Sequence, residues 1–239
     1  GRHVFVTGLA RAGTTILMRE IHASGQFGSL TYADMPFVLA PNFWKKISGK
    51  NKKTAMAERA HGDGILVNTD SPEALEEVFW RVNIGKSYIQ ADGLRPHDVD
   101  TETLDAFSDY MRLILRKTEH TRYLSKNNNA ILRLGSMLRA FENAQFLLPI
   151  RDPIQHAMSL QSQHLRFKDT DRFTADYMRW LAHQEFGATQ RPFLFGGNEL
   201  NGTPDDLDYW LGMWIGAYTH LSSVAAGAPH AQFVPFEAL

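Results

Sequence analysis

The sequence predicts an α/β domain of three layers, a central and mostly parallel sheet flanked by helices. Three observations predict it. Short apolar runs at about His3–Thr7, Arg122–Ser125, Gln145–Ile150 and Gln232–Pro235 alternate with stretches of helical period. The first run passes through a glycine-bounded turn straight into an amphipathic helix. The third is followed by Pro153, in the first turn of a helix, where proline is best tolerated. Strands separated by helices pair in parallel, and such sheets bind ligands at the carboxyl ends of their strands.

Taken in order, the strand at His3–Thr7 leads to a helix from Gly13 to Ser24 that Gly25 closes. From Gln26 to Asp70 the periodicity fades, and aromatic and proline punctuation (Tyr32, Pro36, Pro41, Phe43, Trp44), a lysine tract (Lys45 to Lys53) and His61-Gly62-Asp63-Gly64 suggest an irregular insertion on the acceptor side. Ser71 is placed to cap a helix running to Val82, with Pro72 first and Glu73 in its opening turn. Helices follow over about 102–118, 130–141, 153–166, 172–190 and 205–226, the last two flanking a glycine-rich loop (Gly196, Gly197, Gly202). The stripe Trp210, Trp214, Tyr218, spaced by four, reads as core.

The 239 residues suit one domain, 1–239, with 44% hydrophobic and 21% charged residues and no internal repeat. A formal net charge of −1 gives no global reason to expect nucleic acid or an anionic membrane as partner, so an anion site must be local. The absence of cysteine excludes disulfides, thiol catalysis and cysteine-ligated metal, and suits an intracellular setting. The ten histidines show no metal-ligand spacing, so no metal is expected. A chain that enters a core strand at once leaves no room for a signal peptide, and no apolar run reaches the length of a membrane span. The expected location is the cytoplasm. The chain stops directly after a strand, where an α/β domain would often continue; the oligomeric state is not legible.

The chemistry begins at Thr7, Gly8, Leu9, Ala10, Arg11, Ala12, Gly13, Thr14, Thr15. A buried strand, a glycine-bounded turn and a helix N-terminus make a nest of backbone N–H groups at the positive end of a helix dipole, which suits an anion of phosphate type. The fold is therefore P-loop NTPase-like. Yet the nucleotide triphosphatase form of this motif carries lysine directly after its second glycine, and here that position is Thr14. The loop's one cation is Arg11. Lys126 and Arg151 end the second and third predicted strands on the same edge, and Ser159 lies two turns into the helix after Arg151. The edge is thus built for a ligand with more than one anionic group.

These residues carry a family resemblance. The stretch Val6 to Thr15 resembles the 5′-phosphosulfate loop of sulfotransferases that use 3′-phosphoadenosine 5′-phosphosulfate (PAPS), of the bacterial, arginine-bearing type similar to the tyrosylprotein branch. Phe146 to Pro153 with Ser159 resembles their 3′-phosphate strand and helix, and Tyr123 to Asn127 the strand that delivers a catalytic lysine. The tail Val234 to Leu239 is similar to the family's Tyr-Glu-x-Leu strand end, with Phe236 for tyrosine. The resemblance implies donor binding by Arg11, Ala12, Gly13, Thr14, Thr15, Arg151 and Ser159, and charge stabilisation by Arg11 and Lys126. It implies PAPS as donor, PAP (the 3′,5′-diphosphate) as product, and a hydroxyl-bearing acceptor, carbohydrate or small metabolite. Sulfate in PAPS bears one charge where a γ-phosphate bears about two, so a divalent metal is less needed.

The general base is open among Asp34, which follows Arg11 at the family's approximate spacing and is equally suited to capping a helix before Pro36, and two rivals, Glu58 and His61. Two other functions remain: a P-loop kinase with Asp152 as its metal-holding acid, and a nucleotide-binding module without a competent base.

Overall fold

A computed structural model describes residues 2–48, 54–58, 66–168, 184–196 and 200–239. Four parallel strands form the central sheet in the order β4-β1-β5-β6: β1 is Val4–Val6, β4 Leu124–Lys126, β5 Gln145–Ile150 and β6 Ala231–Pro235. Val6 stands opposite Lys126 on one side and Leu147 on the other, so β1 and β4 end at one level while β5 runs on to Ile150. A separate antiparallel pair, β2 (Ala57–Glu58) and β3 (Leu66–Val67), lies in the region expected to be irregular.

Strand pleating divides the core into the expected layers. Val4, Val6, Leu124 and Leu147 face one way, onto Leu17, Met18 and Ile21 of α1 (Thr14–Ala23) and onto Phe27. Phe5, Phe146 and Leu148 face the other way, into the larger core. There they join Phe107 and Ile114 of α4 (Thr101–Thr118), Met137 and Leu138 of α5 (Leu134–Ala140), Leu160 of α6 (Pro153–Lys168) and Leu221 of α7 (Leu207–Ala225). Phe5 stacks on Phe146 with ring centroids 4.9 Å apart. Trp210 and Tyr218 are buried, as a core stripe requires. No helix among the described residues is long and apolar enough to cross a membrane.

Several elements differ from expectation for identifiable reasons. The insertion over 26–70 contains a 3-10 helix, Tyr32–Phe37, and α2, Pro41–Ser48. Their apolar side chains are largely exposed, Phe43 at 55% and Ile47 at 60%, which is why no buried face shows in the periodicity. Ser71 does not cap a helix; α3 starts later, at Glu77, and runs to Tyr88. Residues 71–73 instead extend beside 30–32, with Tyr32 N donating to Ser71 O and Glu73 N to Leu30 O, while Ser71 Oγ bonds back to Asn68. The helix expected over 130–141 is split into a 3-10 turn, Asn128–Arg133, and α5, because the Asn127 side chain accepts from Asn129 N and tightens the entry. Of the helix expected at 172–190, residues 184–190 are not helical and the rest lie outside the described residues.

Candidate active site

The loop from Thr7 to Gly13 bends twice through the left-handed region, at Gly13 (φ 89°) and at Arg11 (φ 70°). Gly13 has to be glycine. A Cβ there would lie 2.6 Å from Leu239 Cδ1 and 2.9 Å from Phe236 Cδ2, besides adopting a φ that side chains resist. Arg11 has no such excuse, and a non-glycine residue held at positive φ marks a conformation that its surroundings impose. α1 then begins at Thr14 without a side-chain cap, leaving its first N–H groups directed at the loop.

α6 supplies the second half of the site. Asp152 caps it, Oδ1 accepting from Gln155 N at 2.9 Å, so the acid of the kinase reading is occupied at a helix end. One turn on, His156 is fully buried, and its Nε2 lies 2.8 Å from Ala10 O. A carbonyl only accepts, so Nε2 must carry the hydrogen and Nδ1 must be bare; no partner for Nδ1 occurs among the described residues. Burial, with smaller contributions from Arg151 and Arg11, pushes this imidazole down to about 4, so at neutral pH it ties α6 to the loop as a neutral donor.

The sequence-predicted donor residues converge. Arg11 Nε donates to Ser159 Oγ at 3.4 Å, joining the loop to α6. Thr14 Oγ1 makes a long 3.5 Å contact to Asn128 Oδ1, joining the loop to the turn after Lys126. Arg151 lies at the end of β5, its guanidinium stacked 4.6 Å from the centre of the Phe236 ring, and its buried Nε has no partner among the described residues. Phe236 thus touches both Arg151 and the space above Gly13. Ala12 is buried beneath the loop, Thr15 is half-buried, and Lys126 is buried at the end of β4.

Of the candidate bases, Asp34 is the one whose side chain lies among the described residues. The Asp34 carboxylate is wholly buried: Oδ2 accepts from Thr31 N at 3.0 Å and from Thr31 Oγ1 at 3.3 Å in a capping box, and Oδ1 pairs with Lys117. Asp34 thus makes the cap that the sequence reading allows. Glu58 lies in the backbone of β2, and His61 lies outside the described residues.

Behind the Lys126 strand end stands a second polar cluster that the sequence did not reveal. Glu77 accepts from both Arg133 nitrogens, at 2.9 and 3.1 Å, from Asn127 Nδ2 at 2.8 Å and from the Tyr88 hydroxyl. Glu76 accepts from Trp80 Nε1 and Tyr123 Oη, each at 3.0 Å, and from Asn127 Nδ2 at 3.2 Å. Arg133 holds the Glu77 carboxyl below the usual carboxylate range against the opposing effect of burial, and Arg133 is itself held charged by Glu77. Asn127 N also donates to Val6 O at 3.0 Å, so the cluster fixes the corner that carries Lys126 and Asn128. The acid pair Glu76-Glu77 was visible, but nothing local connects it to Arg133.

The Sulfotransferase family model matches residues 3–193, and the chain belongs to that family. Among solved structures it is similar to the sulfotransferase STF1 of Mycobacterium tuberculosis H37Rv (13% identity, TM-score 0.49, covering 99% of this chain and 62% of that one). A sulfotransferase from Alicyclobacillus acidocaldarius is also similar (14% identity, TM-score 0.45, covering 99% of this chain and 74% of that one). So is the sulfotransferase domain of the curacin biosynthetic pathway (12% identity, TM-score 0.41, covering 99% and 67%). The chain thus spans about three-fifths of the length of the first of these. No curated protein matches.

Proposed function

We propose that the chain transfers a sulfuryl group from PAPS to an acceptor hydroxyl of a carbohydrate or small metabolite. The observation that carries this reading is the meeting of two anion-binding elements: Arg11 of the loop reaches Ser159 of α6, while Arg151 keeps a buried Nε with no partner among the described residues. A buried guanidinium nitrogen left in this state fits a ligand that brings an acceptor oxygen, as a 3′-phosphate does. The donor supplies the activated sulfuryl group and both anionic ends. In this reading Arg151 and Ser159 hold the 3′-phosphate, and the loop N–H groups with Thr14 and Thr15 hold the 5′-phosphosulfate. Arg11 and Lys126 stabilise the charge that develops on the bridging and equatorial oxygens.

Calorimetry tests the donor class. The protein should bind PAP without Mg²⁺ and more tightly than ATP, and Arg151→Ala should weaken PAP binding by roughly 10- to 100-fold, the value of a charge-assisted bidentate contact. A preference for ATP with Mg²⁺ would favour the kinase instead.

A further inference from the structure

The loop after β1 turns through Leu9 to Ala12, closed by a long bond of 3.4 Å from Ala12 N to Leu9 O. Arg11 is the third residue of that turn and takes φ 70°, a sign that a turn of this shape ordinarily reserves for glycine. The plane of the peptide between Ala10 and Arg11 decides the sign. Flipping it exchanges the common turn, with negative φ at the third residue, for one with positive φ. The Ala10 carbonyl lies in that plane, and His156 Nε2 lies 2.8 Å from its oxygen. One turn further along the same face of α6, Ser159 Oγ meets Arg11 Nε at 3.4 Å. Two side chains of one helix thus hold consecutive loop residues.

As a mere filler of the core, His156 is a poor choice. It is fully buried, yet its Nδ1 has no partner among the described residues, so one ring nitrogen is paired there and the other is not. An apolar side chain of similar size would fill the space without leaving a polar atom unpaired. What it would not supply is the hydrogen on Ala10 O. The ring is also fixed in place: it packs against Tyr218 with centroids 6.1 Å apart, and the Tyr218 hydroxyl donates to Pro149 O of β5 at 2.8 Å. We propose that His156 is a positioning residue for the donor site: its bond to Ala10 O selects the peptide orientation that keeps Arg11 left-handed and its guanidinium directed at Ser159. The inference rests on the PAPS reading, in which Arg11 meets the oxygens of the donor.

The test is a double-mutant cycle read by calorimetry with PAP. His156→Leu, which fills the space but carries no donor, should weaken PAP binding about 5- to 30-fold, the cost of leaving one buried carbonyl unpaired. His156→Gln, whose amide N–H can reach Ala10 O, should stay within about threefold of wild type. Arg11→Gly removes the guanidinium and puts at that position a residue at ease with positive φ. In that background His156→Leu should change PAP affinity by less than about twofold, because the residue that His156 positions is gone. Circular dichroism establishes that each variant is folded; should His156→Leu not fold, His156→Met, whose flexible side chain adapts to the space, takes its place in the cycle. A histidine that only fills the core would weaken PAP binding equally with and without Arg11, and that result overturns the proposal. So does a His156→Gln protein that binds PAP as weakly as His156→Leu, or a His156→Leu protein that binds it as tightly as wild type. Failure of wild type itself to bind PAP overturns the donor reading, and this inference with it.

Discussion

Two polar regions flank the end of β4, and they are built in opposite ways. On the strand-end edge, Arg11, Lys126 and Arg151 arrive from three different strands, and the contacts there are long: 3.4 Å from Arg11 to Ser159 and 3.5 Å from Thr14 to Asn128. Behind it, Glu76, Glu77, Asn127 and Arg133 are buried in bonds of 2.8 to 3.2 Å, with the Arg133 guanidinium sandwiched 4.7 Å from Trp80 and 4.8 Å from Tyr88. In the cluster Arg133 pairs with Glu77, and Glu76 is held by the neutral donors Trp80, Tyr123 and Asn127. The edge brings three cations together, which suits a site that an anionic ligand completes. Adjacent residues, Lys126 and Asn127, belong to different regions, so the saturated cluster serves as the footing of the loose one.

The largest effect should come from breaking the cluster. Arg133→Ala leaves Glu77 buried without its cation, a loss of about 3–5 kcal/mol. Urea denaturation should show a large fall in midpoint; a change under about 1 kcal/mol would mean that water or another cation compensates, and the contrast between the two regions would fail.

Next comes the tie between α6 and the loop. The unfolded His156 ring takes a proton near its ordinary 6.5, whereas the folded ring refuses one until about 4. The unfolded state therefore binds more protons in that window, so this contribution is complete above pH 6.5 and is lost as pH falls towards 4. The shift corresponds to on the order of 3 kcal/mol. In His156→Gln, thermal unfolding followed over the same range should show a flatter dependence than wild type; identical slopes would show that the ring is not held neutral.

The smallest effect should lie on the edge itself. Phe236→Ala removes the ring beneath Arg151 and should weaken PAP binding by about 2- to 30-fold, the range of a partly buried cation–π contact, while Phe236→Tyr should keep it. Loss of folding stability comparable to that of Arg133→Ala would show that the edge is as structural as the cluster.

How much of this was legible depends on the distance over which each feature is encoded. Gly8 to Thr15, and Arg151 with Ser159, are local strings in which strand, turn and helix impose the spacing, so both donor elements could be read. Their contact could not, since Arg11 and Ser159 are 148 residues apart. Asp34 makes the cap that the sequence allows, and its partner Lys117 lies 83 residues away, beyond any local signal. Ser71 looked like a helix start because its neighbours Pro72 and Glu73 fit one, but pairing with 30–32 took those backbone groups first.

By itself, then, the sequence determined the layers, the strand ends and the chemistry of the loop, because apolar period, glycine and proline act within a few residues. The tertiary structure decided which carboxylates are taken up in caps and ion pairs. That choice depends on burial and on partners from distant segments, and a charged side chain's surroundings exist only once the chain has folded.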